Sequence, residues 1–401
     1  MVPDMTSGGD LSHLRRLNTL ALITALREEP SQTLTALSRR TGLSRASTED
    51  VVRDLIERGW VAVVPPAAGM VGRPARRYRF RADVGHVLGV DIGGHKILVV
   101  VADLDGSVVH SSRVAVSPSL GRKERLAALD SAVTQALAGS GMTAEDVWAV
   151  GAATTGLVDA AGRVMLSEAL PEWTGVDLAA HLRRLVGAPA LVDNDCKLAA
   201  LAESWRGVAR HAKDVVLILA GLRTGAGLII GGRLHRGFGN AAGEIGALPA
   251  SGWNRAQEHL KSWQSATASS GEDASAKAVF EAAREGDRRA GTVVRRYVRE
   301  LAVGAAALVL TLDPELVVVG GGFSRAADLI ADPLRRELDR WCIRTPELRI
   351  SEFGDEGVAL GALRLALDHL GHEVRERGDL GGPALFAHGL AHRAGRTSLS
   401  K

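Results

Sequence analysis

One pattern limits the folds open to this 401-residue chain more than any other: a strand run, a glycine-bearing turn and a second strand run, present twice. Residues 86–91 form the first run, Asp91-Ile92-Gly93-Gly94-His95-Lys96 breaks it, and residues 97–102 resume before Asp103, Asp105 and Gly106 turn a hairpin. The layout returns with residues 215–220, the turn Gly221 to Gly227, and residues 228–230 followed by Gly231-Gly232. Such a return points to duplication. Between the copies lie residues 149–159, a helix near 178–185, and the short strand 190–195 running into a helix that ends about Trp205. Near the end, residues 316–319 lead into Gly320-Gly321-Gly322. Strands alternating with helices predict an α/β domain whose cleft lies between two similar lobes. Glycines between strands let backbone amides approach a phosphate, and an acid such as Asp91 at the turn's start can hold a hydrated magnesium ion.

The first eighty or so residues follow a different rule. Leu11, Leu14, Leu17, Leu20, Ile23 and Leu26 recur at three-residue steps, which predicts a helix over 11–27 ended by Glu28, Glu29 and Pro30. A short helix over 34–40, the turn Thr41-Gly42-Leu43, and Ser44 as N-cap of a third helix to about 58 follow, with Gly59 as the stop. Leu34, Leu37, Leu43, Val51 or Val52, and Leu55 can pack inside and leave the start of the third helix exposed, which is helix-turn-helix geometry. Residues 60–64 and 76–80 then predict two strands of a wing, joined by a loop ending in Gly72-Arg73-Pro74. Three-helix folds also serve as protein-binding modules, but helix, wing and charge together favour double-stranded DNA.

Charge supports that assignment. The chain carries +3 overall, yet residues 1–83 hold thirteen arginines against nine acids, and residues 64–81 hold five arginines and no acid. Ser44, Arg45, Ser47 and Thr48 are the candidates to reach base edges in the major groove, and Arg73, Arg76 and Arg77 the candidates for phosphate or minor-groove contact. Glu49 and Asp50 oppose this, unless they face away or accept a cytosine amino group. No apolar run reaches the roughly 18 to 20 residues of a membrane span, and the N-terminus MVPDMTSGGD lacks an apolar signal core. With only Cys196 and Cys342 present, a cytoplasmic protein is expected.

From Leu17 to about Leu370 the chain resembles the ROK family of repressors and sugar kinases. The matching stretches are GLSRAST, GRP, VDIGGHKI, GLVDAAGRV, LPEW, VDNDCKLAALAE, GAGLIIGGRLHRG, GEIGALP and DPELVVVGGG. The resemblance implies a winged helix-turn-helix over 1–83 and a two-lobed, actin-like ATPase body divided at 84–205 and 206–370; residues 371–401, rich in Gly, His and Ala and without a clear period, are expected as a mobile tail. It further implies a homodimeric regulator, expected to repress carbohydrate uptake or metabolism genes and to sense a sugar or sugar phosphate in the cleft. In that likeness Asp195 matches the general base of the kinases, and Asn194 and Glu244 match sugar-hydroxyl contacts. The plainer reading of Asp195 is a cap on the helix it begins.

The departures from the family pattern argue against catalysis. His95 stands where the first phosphate loop has Thr, and the second loop reads Gly221-Leu222-Arg223-Thr224-Gly225-Ala226-Gly227, with Leu and Arg in place of a Thr-Gly pair. Asp91, Gly93, Gly94, Gly225 and Gly227 are therefore remnants of degenerate phosphate loops. Ala169 and Ala247 replace an Asn and a His on the sugar side, and no cysteine lies between Cys196 and Cys342 to build the family's zinc cluster, so no metal and no cofactor is expected. Trp173 is either a sugar-stacking platform or a structural residue, and Cys196 is expected to pack against the cleft wall. Residues 253–263 are helical in period and take the place of the zinc motif, and residues 266–276 are expected as a surface loop. An active kinase that also binds DNA, and a regulator without ligand, are the rival readings.

Overall fold

The computed structural model describes residues 11–65, 75–221, 223–267 and 272–377. The leucine repeat forms α1 (Leu11–Glu28), followed by β1 (Gln32–Thr33), α2 (Leu34–Thr41) and α3 (Arg45–Glu57). Thr33 caps α2 by accepting from the Ala36 N–H, and Ser44 caps α3 by accepting from the Ser47 N–H at 3.1 Å. The wing strands β2 (Val61–Val64) and β3 (Arg77–Phe80) pair antiparallel, with Val61 opposite Phe80 and Val64 opposite Arg77, and β1 adds to the other edge of β3. Arg73, at the expected wing tip, lies outside the described residues.

The first lobe runs β4 (His86–Ile92), β5 (Lys96–Asp103), β6 (Val108–Ala115), α4 (Arg122–Ser140), β7 (Val147–Thr154), β8 (Leu157–Val158), β9 (Val164–Leu166), α5 (Leu178–Val186), β10 (Ala190–Asn194) and α6 (Asp195–Arg206). The second runs β11 (Val215–Leu219), β12 (Gly225–Ile230), β13 (Arg233–Leu234), α7 (Trp253–Thr267), α8 (Glu272–Arg284), α9 (Arg288–Leu312), β14 (Leu316–Gly320), α10 (Ala327–Trp341) and β15 (Glu347–Ile350), after which α11 (Gly357–Arg377) returns to pack on the first lobe. The two five-stranded sheets, β6-β5-β4-β7-β10 and β13-β12-β11-β14-β15, share one design. In each, the first three strands form an antiparallel meander and the last two join parallel beside the first. The duplication expected from the glycine turns is therefore a duplication of topology. Val, Ile and Leu fill β11 and β14 almost without a break, and β7, mostly Val, Ala and Gly, is buried at every position, because both faces of these strands are covered.

Two expectations fail here. Residues 266–276 are not a loop: α7 continues to Thr267 and α8 begins at Glu272, leaving only 268–271 outside the described residues. Ala-rich sequence with acids suits a helix once an apolar face is buried, as Val279 and Phe280 are. The expected tail at 371 is helical to Arg377, because Leu370 and Val374 continue the buried stripe of α11; residues 378–401 lie outside the described residues.

The pair α6 and α11 fills the space between the sheets, α6 against β11 and β12, α11 against β4 and β7. They approach so closely that a Cβ at Gly361 would stand 1.7 Å from the Leu198 carbonyl oxygen, and one at Gly151 would stand 1.8 Å from that of Ala362. The winged domain joins the same assembly. Trp60 lies between Phe80, 5.9 Å between ring centroids, and Trp148 of β7, edge-on at 5.2 Å. Leu22, Leu26 and Leu55 share this core with Leu363, Ala366 and Leu370 of α11. Winged domain and first lobe thus have one continuous apolar core.

Candidate DNA interface and interlobe cleft

At the start of α3, Ser44 and Arg45 are exposed and Ser47 is half-buried, so these three reach the surface the sequence assigned to base reading. Thr48 does not. It is fully buried and its hydroxyl donates to the Ser44 carbonyl at 2.8 Å, because the helical phase that buries Val51, Val52 and Leu55 carries it inward too. The outward face carries Ala46, Glu49, Asp50 and Arg53 instead. Asp50 is ion-paired with Arg53, one turn along, which offsets the charge that opposed phosphate. In the wing, Arg76 and Arg79 are exposed. Arg77 is exposed but engaged, its guanidinium donating to the hydroxyl and carbonyl oxygens of Ser31, so it fixes the wing to the turn before α2.

In the cleft, the division of labour between Asn194 and Asp195 differs from the plainer reading. Asn194 caps α6: its side-chain oxygen accepts from the Cys196 and Lys197 N–H groups at 2.9 and 3.2 Å, and its amide donates to the Gly156 carbonyl at 3.0 Å. Asp195 is the first helical residue, half-buried, and accepts from the Cys196 N–H at 2.9 Å. Burial, with the nearby Asp91 charge, pushes the Asp195 carboxyl up to about 7. Asp91 is pushed up to about 6 by burial, with the Lys96 ammonium 3.6 Å away pulling against it. Burial also raises Glu244, opposed by Lys197. These carboxyls and two ammonium groups make a polar, charge-dense cleft floor able to accept from and donate to hydroxyls.

The loops around them are held by residues that local sequence did not announce. Lys197 is buried, donates to the Asn240 carbonyl at 2.6 Å and lies 3.8 Å from Glu244, so it pins the loop that carries Glu244. Arg236 donates to Asp193 at 2.7 Å. Arg125, fully buried on α4, donates to the Gly93 carbonyl at 2.7 Å and to the carbonyls of Ser117 and Pro118. A lone arginine on an apolar helix face gives no sequence signal of that role. Trp173 is fully buried with its indole N–H on Thr154 at 2.9 Å, which makes it structural. Cys196 is buried against β12, as expected, and burial raises its thiol well above the ordinary range.

The two glycine loops have different reasons to exist. A Cβ at Gly227 would stand 2.2 Å from the Cys196 carbonyl oxygen, and one at Gly225 would stand 2.4 Å from the Cys196 sulfur, so packing of β12 on α6 already demands both glycines. Gly94 has open space beside it, with Leu170 the nearest group at 3.9 Å. Arg223, in the altered second loop, reaches across the cleft and donates to the Glu168 carbonyl at 3.1 Å. Leu222 lies outside the described residues. Among the described residues no cluster of three or more His, Cys, Asp or Glu side chains can hold a metal, and the stretch of the expected zinc motif is α7, anchored by buried Trp253 and Trp263. No helix of the described residues is long and apolar enough to cross a membrane.

Comparison with known proteins agrees with this fold. Residues 87–369 match the ROK family, and residues 17–65 match the IclR helix-turn-helix domain. A xylose repressor of Caldicellulosiruptor bescii is 21% identical over 397 residues, covering 90% of this chain and 98% of that protein. A ROK family transcriptional regulator described as a homologue of the Escherichia coli MLC protein superposes with a TM-score of 0.68 at 18% identity, covering 91% of this chain and 99% of its own. A ROK family glucokinase from Streptomyces griseus, solved with glucose and AMPPNP, gives 0.60 at 29% identity and covers 71% of this chain and 100% of its own. The fold is thus a winged helix-turn-helix on a two-lobed, actin-like body.

Proposed function

This chain belongs to the ROK family, and from that membership we propose that it is a DNA-binding transcriptional repressor of carbohydrate genes whose DNA affinity is set by a sugar or sugar derivative in the interlobe cleft. The observation that carries this reading is the single core shared by the winged domain and the first lobe through Trp60, Trp148 and α11. A conformational change in the lobes therefore has a rigid path to the reader.

That path has a second branch. The N-terminal end of α6 holds Asn194 and Asp195, and at its other end, twelve residues or about 18 Å away, Arg206 donates to the carbonyls of Asp105 and Gly106. The same turn receives Arg27 of α1, which donates to the Asp105 carboxylate at 2.7 Å and to the Leu104 carbonyl at 2.8 Å. Sugar hydroxyls at Asp195 and Glu244 act on one end of α6, and α1 hangs from the other. Ligand shifts the balance of two lobe arrangements by its difference in affinity for them, and DNA affinity changes by the same coupling energy.

Two such chains paired through their kinase-like bodies set two α3 helices on half-sites of an inverted repeat, Ser44, Arg45 and Ser47 meeting bases and Arg76 meeting phosphate. Phosphoryl transfer is absent in this reading. Such a reaction runs on positioned donors, and a triphosphate fits poorly where His95 replaces a small hydroxyl and Arg223 is spent on the Glu168 carbonyl. The test is titration of labelled duplex, selected from the protein's own genome by binding, with full-length protein in the presence and absence of a panel of hexoses, pentoses, amino sugars and their phosphates. One sugar that changes affinity supports the proposal. None doing so, with no heat of sugar binding, leaves a ligand-free regulator.

The kinase reading has one observation in its favour: a carboxyl near pH 7 at the start of α6 is poised to take a hydroxyl proton. ATP-dependent turnover of any sugar of the panel, abolished by Asp195→Ala, would establish it.

A further inference from the structure

At the C-terminal end of α6, the end away from Asp195, lies an open concavity of about 1060 Å³. Its walls come from both sides: Arg210, Lys213 and Arg233 from the second lobe, and Arg364, His369 and His372 from α11, which lies on the first. Asp368 is the one acid lining it among the described residues, and it is ion-paired with Arg364 at 2.9 Å. Arg236, also on the lining, is paired with Asp193. The Glu315 carboxylate lies beside Lys213, accepting from its backbone N–H. Arg210 donates to the His211 ring at 3.0 Å, which leaves its terminal nitrogens for other partners, and the exposed Arg233 side chain has no hydrogen-bond or ion-pair partner among the described residues.

We propose that this rear groove is a binding site for a phosphorylated small molecule, its phosphate held by Arg210, Lys213 and Arg233 and its remaining part set against the α11 wall. Arg210, Lys213 and Arg233 line one hollow, where like charges repel and a bound anion relieves the repulsion, and guanidinium groups bind phosphate oxygens in pairs of parallel hydrogen bonds. The cations line a recess between two lobes rather than a ridge or flat face, so a small ligand enters where a duplex, a rigid rod, does not. The site is separate from the front cleft and does not depend on the sugar reading. It has its own route to the reader, because α11 turns Arg364 and His372 to the groove and Leu363, Ala366 and Leu370 to the core shared with the winged domain.

The experiment is isothermal titration of the full-length protein with glucose 6-phosphate and with inorganic phosphate, glucose serving as the uncharged control. Wild type and the double variant Lys213→Ala/Arg233→Ala are compared after thermal melts show equal folding. The proposal expects saturable binding of both phosphate-bearing probes, weakened at least about tenfold in the double variant. It is overturned by wild-type protein that binds neither probe, by equal binding in the double variant, or by loss of phosphate binding on Asp195→Asn alone, which would place the anion in the front cleft. Weakened DNA binding in the double variant with phosphate binding intact would also overturn it, by assigning these charges to nucleic acid. Should the double variant misfold, Arg233→Ala alone gives the same comparison from an exposed position.

Discussion

Asp195 is the residue on which chemistry and stability meet. Its carboxyl titrates at about 7 in the folded chain against an ordinary 3.8, so the folded state holds that proton to higher pH than the unfolded chain does. Below 3.8 both states are protonated and nothing is lost; as pH rises from there to about 7, stability falls, and above that it is flat. Asp195→Asn removes the ionised carboxylate, so its melting temperature should exceed wild type by a few degrees at pH 8 and match it near pH 4. Equal melting temperatures at pH 8 would refute the burial account. Asn194→Ala is expected to go the other way, costing about 1 to 2 kcal/mol at any pH through the lost cap. Denaturant titration checks it. Arg45→Ala should weaken duplex binding by about 1 to 3 kcal/mol with little change in stability, since the side chain is exposed. Thr48→Val, a buried swap, should alter stability and leave base preference alone.

Among the elements, α6 and the Trp60 junction join the lobes to the winged domain. Arg206→Ala cuts the link from α6 to the Asp105–Gly106 turn while leaving both ligand and DNA contacts in place. Duplex affinity without sugar should then be close to wild type and the sugar-induced change reduced several-fold, read by anisotropy in parallel titrations. An unchanged sugar response would remove α6 from the route. At this scale the sequence was informative where order is local. The leucine steps, Ser44 and the glycine turns each set an element within a few residues of its place, because caps and periodicity act over one or two turns. It was silent where order is long-range. Nothing around Trp60 announces Trp148, nor Arg125 the carbonyl of Gly93, since these contacts join residues far apart in the chain. Between Asn194 and Asp195, two good caps in adjacent positions, only the geometry decides. Residues 266–276 misled because the same small and acidic residues suit a loop or a helix, and burial of Val279 and Phe280 selects the helix.

As a whole, the molecule is a duplicated pair of sheets around a two-helix spine, with a reader fused to one of them by a common core. Asp91 and Glu244 lie within electrostatic reach of Asp195, and packing of β12 on α6 requires Gly225 and Gly227, so a glycine loop here is no evidence of nucleotide binding. In the function proposed above, sugar in the cleft and DNA at α3 are coupled through that shared core. The most direct measurement is duplex affinity of the full-length protein at fixed salt across the sugar panel, repeated with Glu244→Gln. The expected result is salt-dependent binding to a selected duplex, changed by at least about fivefold by one sugar, and a response shifted to higher sugar concentration in the variant. Duplex binding that no sugar alters, or a response indifferent to Glu244→Gln, would contradict it.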